Sequence, residues 1–261
     1  MEIKISYLSF SGRTEETEKE FKTRMDRTYT SGGNWNAKKA FQMGMIYEGH
    51  HREWRKAHLI SLIRQSVGCD FFIETGTFMG DTLMAVSPGF KQNWSVEAQN
   101  NFFETTSFRF SRLPFENVEI LEGESPDVLP VIFSKLDQRP EKNKKSIIFL
   151  DAHFSGVIEG QGPGPKHKTH NSEKYGKCPL LQELDAISKH NIRDHIILID
   201  DMRNLNLEDD IESDLDWPTS TEIFISLKEI NPDYQFIYVI ELDILIATTE
   251  QMNFNKDGNK Q

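Results

Sequence analysis

The stretch "FFIETGTFMGDT", which runs from Phe71 to Thr82, decides the fold of this chain. Its apolar run predicts a buried strand, and two glycines, Gly76 and Gly80, predict a tight turn into a helix. A mononucleotide phosphate loop needs Lys and then Ser or Thr after the second glycine, whereas here Asp81 follows it and would repel a triphosphate. The Gly-x-Gly-x-x-Gly pattern of dinucleotide-binding turns is also absent. A turn that only packs a strand against a helix would give the same spacing, so that interpretation stays open.

Strand-like and helix-like segments alternate on both sides of this stretch. Strands are predicted at residues 69–76, 92–98, 117–123, 145–153 and 194–201, and helices at 35–65, 80–86, 99–112, 125–136 and 179–190. Two more strands, at 234–241 and 243–249, are separated only by a turn. The pattern predicts an α/β fold: a Rossmann-like, seven-stranded, mostly parallel sheet with helices on both faces and a C-terminal antiparallel hairpin.

The same alternation suggests one main domain. We expect an N-terminal arm or irregular lead-in at residues 1–34, a single domain at 35–250 and a polar tail at 251–261. The Gly- and Pro-rich loop at 155–178 is predicted to be a lid, since loops of this length in compact domains are usually functional or disordered. An acidic segment at 204–220 is also irregular. Both segments follow strand carboxyl ends, where open α/β sheets bind ligands.

Composition limits the partners. The 261 residues carry a net charge of −11, which argues against nucleic acid, and no apolar run approaches the roughly 20 residues of a membrane span. Two distant cysteines, Cys69 and Cys178, and no recognisable signal peptide predict a reduced, cytoplasmic protein. The basic cluster at residues 50–58 is either a solvated helix surface or a patch for an anionic substrate.

Acidic residues stand at the ends of the first two core strands. Glu74 precedes the glycine turn, and Glu97 comes 21 residues after Gly76, where a carboxylate can accept hydrogen bonds from both ribose hydroxyls. With the turn between them, the chain resembles the class I S-adenosylmethionine-dependent methyltransferases. The resemblance covers residues 55–250 and includes "DAHFSG", "CPLLQEL" and "IDDMR" in that order.

The resemblance implies S-adenosylmethionine as cofactor. Its binding residues would be Glu74, Gly76, Thr77, Gly80, Thr82, Glu97, Glu124, Ser125 and Asp151. The third strand is followed by Gly-Glu-Ser, where the family often has Gly-Asp-Ser. Ser125, which precedes Pro126, is also a good helix N-cap without any ligand.

Polar residues follow the fourth and fifth strands. Asp151 and His153 end one, and Asp200 and Asp201 end the other, so three carboxylates and an imidazole are predicted to converge and to need a cation, a proton or water. Such donors suit Mg²⁺ or Mn²⁺. This arrangement resembles metal-dependent small-molecule O-methyltransferases, including those that act on sugar hydroxyls. Asp151 and His153 are the candidate catalytic residues, and all four are candidate metal ligands, with His153 alternatively a general base. Arg203 would neutralise the acids or meet an anionic acceptor.

The function predicted from these features is S-adenosylmethionine-dependent O-methylation of a hydroxyl on a small molecule or sugar, with divalent metal assistance. Two alternatives stay open: a metal-dependent hydrolase or phosphoesterase that uses the same acids, and a non-catalytic binding module. The expected partner is a small-molecule acceptor, with neither nucleic acid nor membrane involved. A homo-oligomer is left open, with residues 1–34 as the candidate dimerisation arm.

Overall fold

The computed structural model describes residues 4–9, 12–17, 51–153, 157–159, 166–168, 172–204 and 217–252. The strands are β1 (Lys4–Ser9), β2 (Gly12–Thr17), β3 (Phe71–Thr75), β4 (Gln92–Glu97), β5 (Val118–Glu122), β6 (Ser146–Leu150), β7 (Val157–Glu159), β8 (Lys166–Lys168), β9 (Ile196–Ile199), β10 (Gln235–Val239) and β11 (Ile244–Thr248). The helices are α1 (His51–Val67), α2 (Asp81–Val86), α3 (Asn100–Ser111), α4 (Ser125–Asp137), α5 (Leu180–Ser188) and α6 (Ser220–Ile230).

The described strands form a central sheet in the order β2-β1-β10-β11-β9-β6-β3-β4-β5. The run from β5 to β9 is parallel, and β11 is antiparallel to both β9 and β10. The seven predicted strands, β3–β6 and β9–β11, and the C-terminal hairpin are therefore confirmed, and β1 and β2 extend the described sheet to nine strands. At the carboxyl ends, Thr75 of β3 lies in register with Val96 of β4 and Leu150 of β6. The residues that follow these three strands consequently meet at one edge.

Helices cover both faces of the sheet, as predicted. On β3, Phe71 and Ile73 pack into a core cluster with α4, α5 and α6, whereas Phe72 packs into a second cluster with α1 and α2. Successive side chains of a strand point to opposite faces, so Thr75 faces α4–α6 and Glu74 faces the other layer. Because both faces are buried, these strands read as apolar runs in the sequence.

Three parts of the fold differ from the sequence prediction or extend it. Strands β1 and β2 lie inside the segment expected to be an arm or irregular lead-in, and β1 pairs in parallel with β10. Helix α6 was not assigned from the sequence, although a capping box between Thr219 and Glu222 begins it. The pair β7–β8 lies inside the expected lid loop. The domain limits themselves stay a prediction.

Parts of several predicted segments lie outside the described residues. These are 35–50 of the first helix, most of the N-terminal arm, residues 155–156, 160–165 and 169–171 of the loop, residues 205–216 of the acidic segment, and 253–261 of the tail. Among the helices that are described, none has the length and apolar character needed to cross a membrane.

Candidate functional site

The turn after β3 is packed tightly against β6. Gly76 has φ +79°, and a Cβ atom there would lie 2.6 Å from the backbone oxygen of Asp151. The backbone N–H groups of Gly76 and Thr77 both donate to the carbonyl of Val96, at 2.9 and 3.0 Å. A glycine is therefore required at 76 by contact with the neighbouring strand, whether or not a ligand is bound.

Helix α3 holds the other end of the turn. Thr106 Oγ1 donates to the carbonyl of Phe78 at 2.6 Å, and Arg109 Nη1 donates to the carbonyl of Met79, also at 2.6 Å. The same Arg109 nitrogen pairs with Asp81 Oδ1 at 2.6 Å. Asp81, the carboxylate that is incompatible with a phosphate loop, is thus neutralised by an arginine that no sequence motif indicates. These bonds fix the turn before any ligand arrives.

Glu97 lies beside the turn with both oxygens oriented by backbone N–H groups. Its Oε2 accepts from Phe78 N–H at 2.7 Å, and its Oε1 accepts from Gln99 N–H at 2.8 Å. A carboxylate oxygen has two lone pairs and can accept more than one hydrogen bond. The ribose-binding role of Glu97 stays a prediction.

Glu74 is buried beneath the turn and only 2% exposed. It accepts a hydrogen bond from Ser95 Oγ at 2.6 Å, and that hydroxyl lies 2.6 Å from Thr77 Oγ1. The three side chains link the turn to β4 from inside the protein. Thr82 is buried in α2, and Gly80 precedes that helix with φ +74°. Cofactor roles for these residues stay predictions.

A third buried acid, Glu183 of α5, joins the edge from the α4–α6 side. It is 1% exposed, and its Oε1 has no hydrogen-bond partner among the described residues. Burial raises the pKa of Glu183 to about 7, against the lowering effect of hydrogen bonds with Ser125 and Thr75. Glu124, the N-cap residue of α4, accepts from two backbone N–H groups through its carbonyl. Ser125 therefore has a buried acid as neighbour in addition to its place at the start of the helix.

The acids after β6 and β9 converge on a lysine. Lys56 of α1 is 3% exposed, and its Nζ lies 3.2 Å from Asp151 Oδ2 and in direct contact with Asp200 Oδ2. The ammonium also lies 5.5 Å from the centre of the Phe149 ring. The sequence predicts that the basic cluster at 50–58 is either solvated surface or a substrate patch. Lys56, a member of this cluster, is instead directed into the acid cluster.

His153 and Asp201 form the outer part of the cluster. His153 Nε2 lies 3.0 Å from Asp201 Oδ2, and its Nδ1 lies 3.6 Å from Asp151 Oδ1. Arg203 Nη1 lies 2.6 Å from Asp201 Oδ1 and 2.8 Å from Asp243 Oδ2. Arg203 therefore neutralises two acids, one of the two roles expected of it.

Burial and mutual repulsion shift the acid–base behaviour of this cluster. Burial, and next the charge of Asp200, raise the pKa of Asp151 to about 8, although Lys56 and His153 act in the opposite direction. Burial alone would lower the pKa of His153, but its hydrogen bond with Asp201 and the charge of Asp151 raise it. Shifted acids and bases in a cleft are typical of sites that transfer protons.

The donors present fit a divalent ion. Asp151, His153 and Asp201 each offer a ligand atom, and these atoms lie within 4.8 Å of one another. Carboxylate oxygens with one imidazole suit Mg²⁺ or Mn²⁺. Asp200, the fourth predicted ligand, contacts Lys56 instead.

One further side chain reaches the cluster from outside the predicted set. Trp217 is half-buried, and its ring centre lies 5.3 Å from that of His153. It belongs to the irregular segment at 204–220, whose place after a strand carboxyl end was the one available signal. Neither Lys56 nor Arg109 had any such signal.

The strand order β5-β4-β3-β6-β9-β11-β10, with β11 antiparallel, is that of the class I S-adenosylmethionine-dependent methyltransferase fold. Among solved structures, the chain is similar to an O-methyltransferase from Bacillus cereus in complex with S-adenosylhomocysteine, with 16% identity, 74% of this chain and 80% of the other covered, and a TM-score of 0.50. An S-adenosylhomocysteine-bound methyltransferase from Podospora anserina is 12% identical over 83% of this chain and 97% of its own, with a TM-score of 0.49. The O-methyltransferase TomG from Streptomyces achromogenes, in complex with S-adenosylmethionine, is 14% identical over 77% and 81%, with a TM-score of 0.46. No family model matches the sequence, and no curated protein sequence matches it either. The likeness to the Bacillus cereus structure, at a TM-score of 0.50 and 16% identity, is a likeness of fold alone.

Proposed function

We propose that the protein is an S-adenosylmethionine-dependent methyltransferase that methylates a hydroxyl oxygen of a small molecule. The observation that carries this proposal is the contact between Gly76 and the backbone of Asp151. It joins the turn beside Glu97 to the acid and histidine cluster at the ends of β6 and β9. A cofactor on the turn and an acceptor on the cluster would consequently be neighbours.

Glu97 would bind the ribose of the cofactor. Its two oxygens are held by backbone N–H groups of Phe78 and Gln99, so it reaches the ligand with little loss of side-chain freedom. The negative carboxylate also suits a ligand that carries sulfonium and ammonium charges. Arg109 and Thr106 would keep the turn in the same conformation with and without the ligand.

Asp151 or, where it does not ligate an ion, His153 would receive the single proton of the acceptor hydroxyl, each of them in its deprotonated form. S-adenosylmethionine, when bound, would supply the methyl group, and its sulfur would keep the electron pair of the broken methyl–sulfur bond and become a neutral thioether. Much of the acceleration would come from holding oxygen and methyl in line. Asp151, His153 and Asp201 would hold a divalent ion, whose chemistry when bound is to lower the pKa of the acceptor hydroxyl.

Trp217 favours a ring-shaped acceptor. Its indole lies beside His153, so a sugar or aromatic ring could stack on it while a hydroxyl points to the cluster. A sugar-type acceptor is our proposal for the substrate class. We also infer a reducing compartment such as the cytoplasm, because Cys69 and Cys178 are both free and buried.

Calorimetric titration with S-adenosylhomocysteine tests the proposal. We expect binding by the wild-type protein and at least tenfold weaker binding by Glu97→Gln, because hydrogen bonds to a charged acceptor contribute about 1.5–3 kcal/mol. Glu122→Gln is the matched control, since Glu122 is the exposed partner of Glu97 in the β4–β5 register. A folded protein that binds neither S-adenosylmethionine nor S-adenosylhomocysteine at millimolar concentration would overturn the proposal and favour the metal-dependent hydrolase.

A further inference from the structure

The carboxyl edge of the sheet that holds the acids also holds a cation. This cation is Lys56 of α1, which is distant from the acids in sequence: 95 residues separate it from Asp151 and 144 from Asp200. The side chains of Lys56 and Asp200 are 3% and 1% exposed. Burial of a lysine costs free energy unless carboxylates pair with its ammonium group, as Asp151 and Asp200 do here. Lys56 is therefore an integral part of the site.

The backbone after β9 separates two consecutive acids. Asp201 has φ +53°, a left-handed conformation that is uncommon outside glycine and that aspartate and asparagine tolerate best. As a result Asp200 is directed inward to Lys56, whereas Asp201 is directed outward to His153 and Arg203. Neighbouring carboxylates that the sequence groups as one ligand pair thus belong to two different places.

Asp151 is shared between these two places. Its Oδ2 faces Lys56 at 3.2 Å, and its Oδ1 faces His153 at 3.6 Å. The inner place contains Lys56, Asp200 and one oxygen of Asp151. The outer place contains His153, Asp201 and the other oxygen, and it coincides with the donor group that lies within 4.8 Å.

We propose that Lys56 is the resident cation of the inner place and excludes a divalent ion from Asp200. An ion bound by Asp200 would stand next to the ammonium and be repelled by it. Asp151, His153 and Asp201 are then the ligand set among the residues that the structure describes, with Lys56 as the positioning residue that orients Asp151. The part of this inference that concerns the ion rests on the metal site of the proposed function.

Asparagine variants of the two acids give the first test, with Mn²⁺ alone as the probe and electron paramagnetic resonance as the readout. Asp200→Asn should change Mn²⁺ affinity by less than about threefold, since Asp200 is used by the lysine. Asp201→Asn should weaken it at least tenfold, because asparagine keeps the left-handed backbone and one ligand oxygen but loses the charge. Equal weakening by the two variants would overturn the proposal.

Removal of the lysine gives the second test. Lys56→Met should raise Mn²⁺ affinity at least tenfold, because Asp200 becomes available, and Lys56→Met combined with Asp200→Asn should reverse the gain. Unchanged Mn²⁺ affinity in a Lys56→Met protein with the wild-type unfolding transition would refute the inference. If Lys56→Met does not fold, the Asp200→Asn and Asp201→Asn pair still decides.

Titration with S-adenosylhomocysteine separates this proposal from the proposed function. A wild-type protein that binds no S-adenosylhomocysteine but shows the predicted Mn²⁺ differences would overturn methyl transfer and leave the role of Lys56 intact. If the wild-type protein binds S-adenosylhomocysteine but Asp200→Asn and Asp201→Asn weaken Mn²⁺ affinity equally, the role of Lys56 is overturned and methyl transfer remains supported.

Discussion

Replacement of Gly76 by alanine is expected to destabilise the protein through one identified contact. The new Cβ would lie 2.6 Å from the oxygen and 2.9 Å from the carbonyl carbon of Asp151, both of them backbone atoms of the chain leaving β6. Because the neighbour is backbone, it cannot move aside by changing a rotamer. Either the turn or the end of a central strand has to shift.

Gly68 is the matched control for this experiment. Its φ is +74°, close to the +79° of Gly76, but a Cβ there would meet nothing within 4 Å. Gly68→Ala therefore carries only the left-handed backbone cost, about 1–2 kcal/mol. Gly76→Ala carries the same cost and, in addition, an overpacking term of about 1–3 kcal/mol. The difference between the two variants isolates the contact with Asp151.

Urea unfolding followed by circular dichroism measures both variants. We expect the free energy of unfolding to fall by about 2–5 kcal/mol in Gly76→Ala, which is the sum of the two contributions. S-adenosylhomocysteine binding should weaken in Gly76→Ala and remain in Gly68→Ala. If the two variants lose equal stability, the close approach of the turn to Asp151 is not what requires glycine, and the reasoning fails.

Three further predictions concern parts of the fold away from the turn. Thr219→Ala removes the capping box with Glu222 and should lower the free energy of unfolding by about 1 kcal/mol in a urea titration; no loss would contradict the role of this cap in α6. Burial raises the pKa of Cys69 and of Cys178 to about 12, so Ellman's reagent should label both far more slowly in the native protein than in urea, and fast native labelling would contradict their burial. Burial, and next the charge of His190, lower the pKa of His195 to about 3. As the pH falls below about 6.5, the unfolded state therefore binds a proton at His195, whereas the folded state does not bind it until about pH 3. Native stability should consequently fall as pH decreases from about 6.5 towards 3, and less steeply in His195→Asn; equal slopes for the two proteins would show that His195 does not titrate in this way.

The sequence alone determined the class of the fold, a mostly parallel sheet with helices on both faces and a C-terminal hairpin, and the position of its ligand-binding edge. Parallel strands buried on both faces appear as apolar runs, and a polar residue that ends such a run stands at the carboxyl edge. Glu97, Asp151 and Asp200 could be placed at that edge in this way. Strand β2, with the sequence GRTEET, could not be found, because it has no apolar pattern. Helix α6 has a capping box in Thr219 and Glu222, which is a sequence signal for its first turn.

What each acid contacts was decided only by the tertiary structure. Hydrophobic period and motif spacing report on neighbours along the chain, whereas Lys56 meets Asp200 across 144 residues through the packing of α1 on the sheet. For the same reason the sequence did not indicate Arg109, which reaches Asp81 from α3. The left-handed backbone of Asp201 is a local conformation, but "IDD" permits an ordinary one equally well. The sequence therefore indicated which acids reach the edge, and the fold decided which cations they meet there, because an ion pair depends on distance in space.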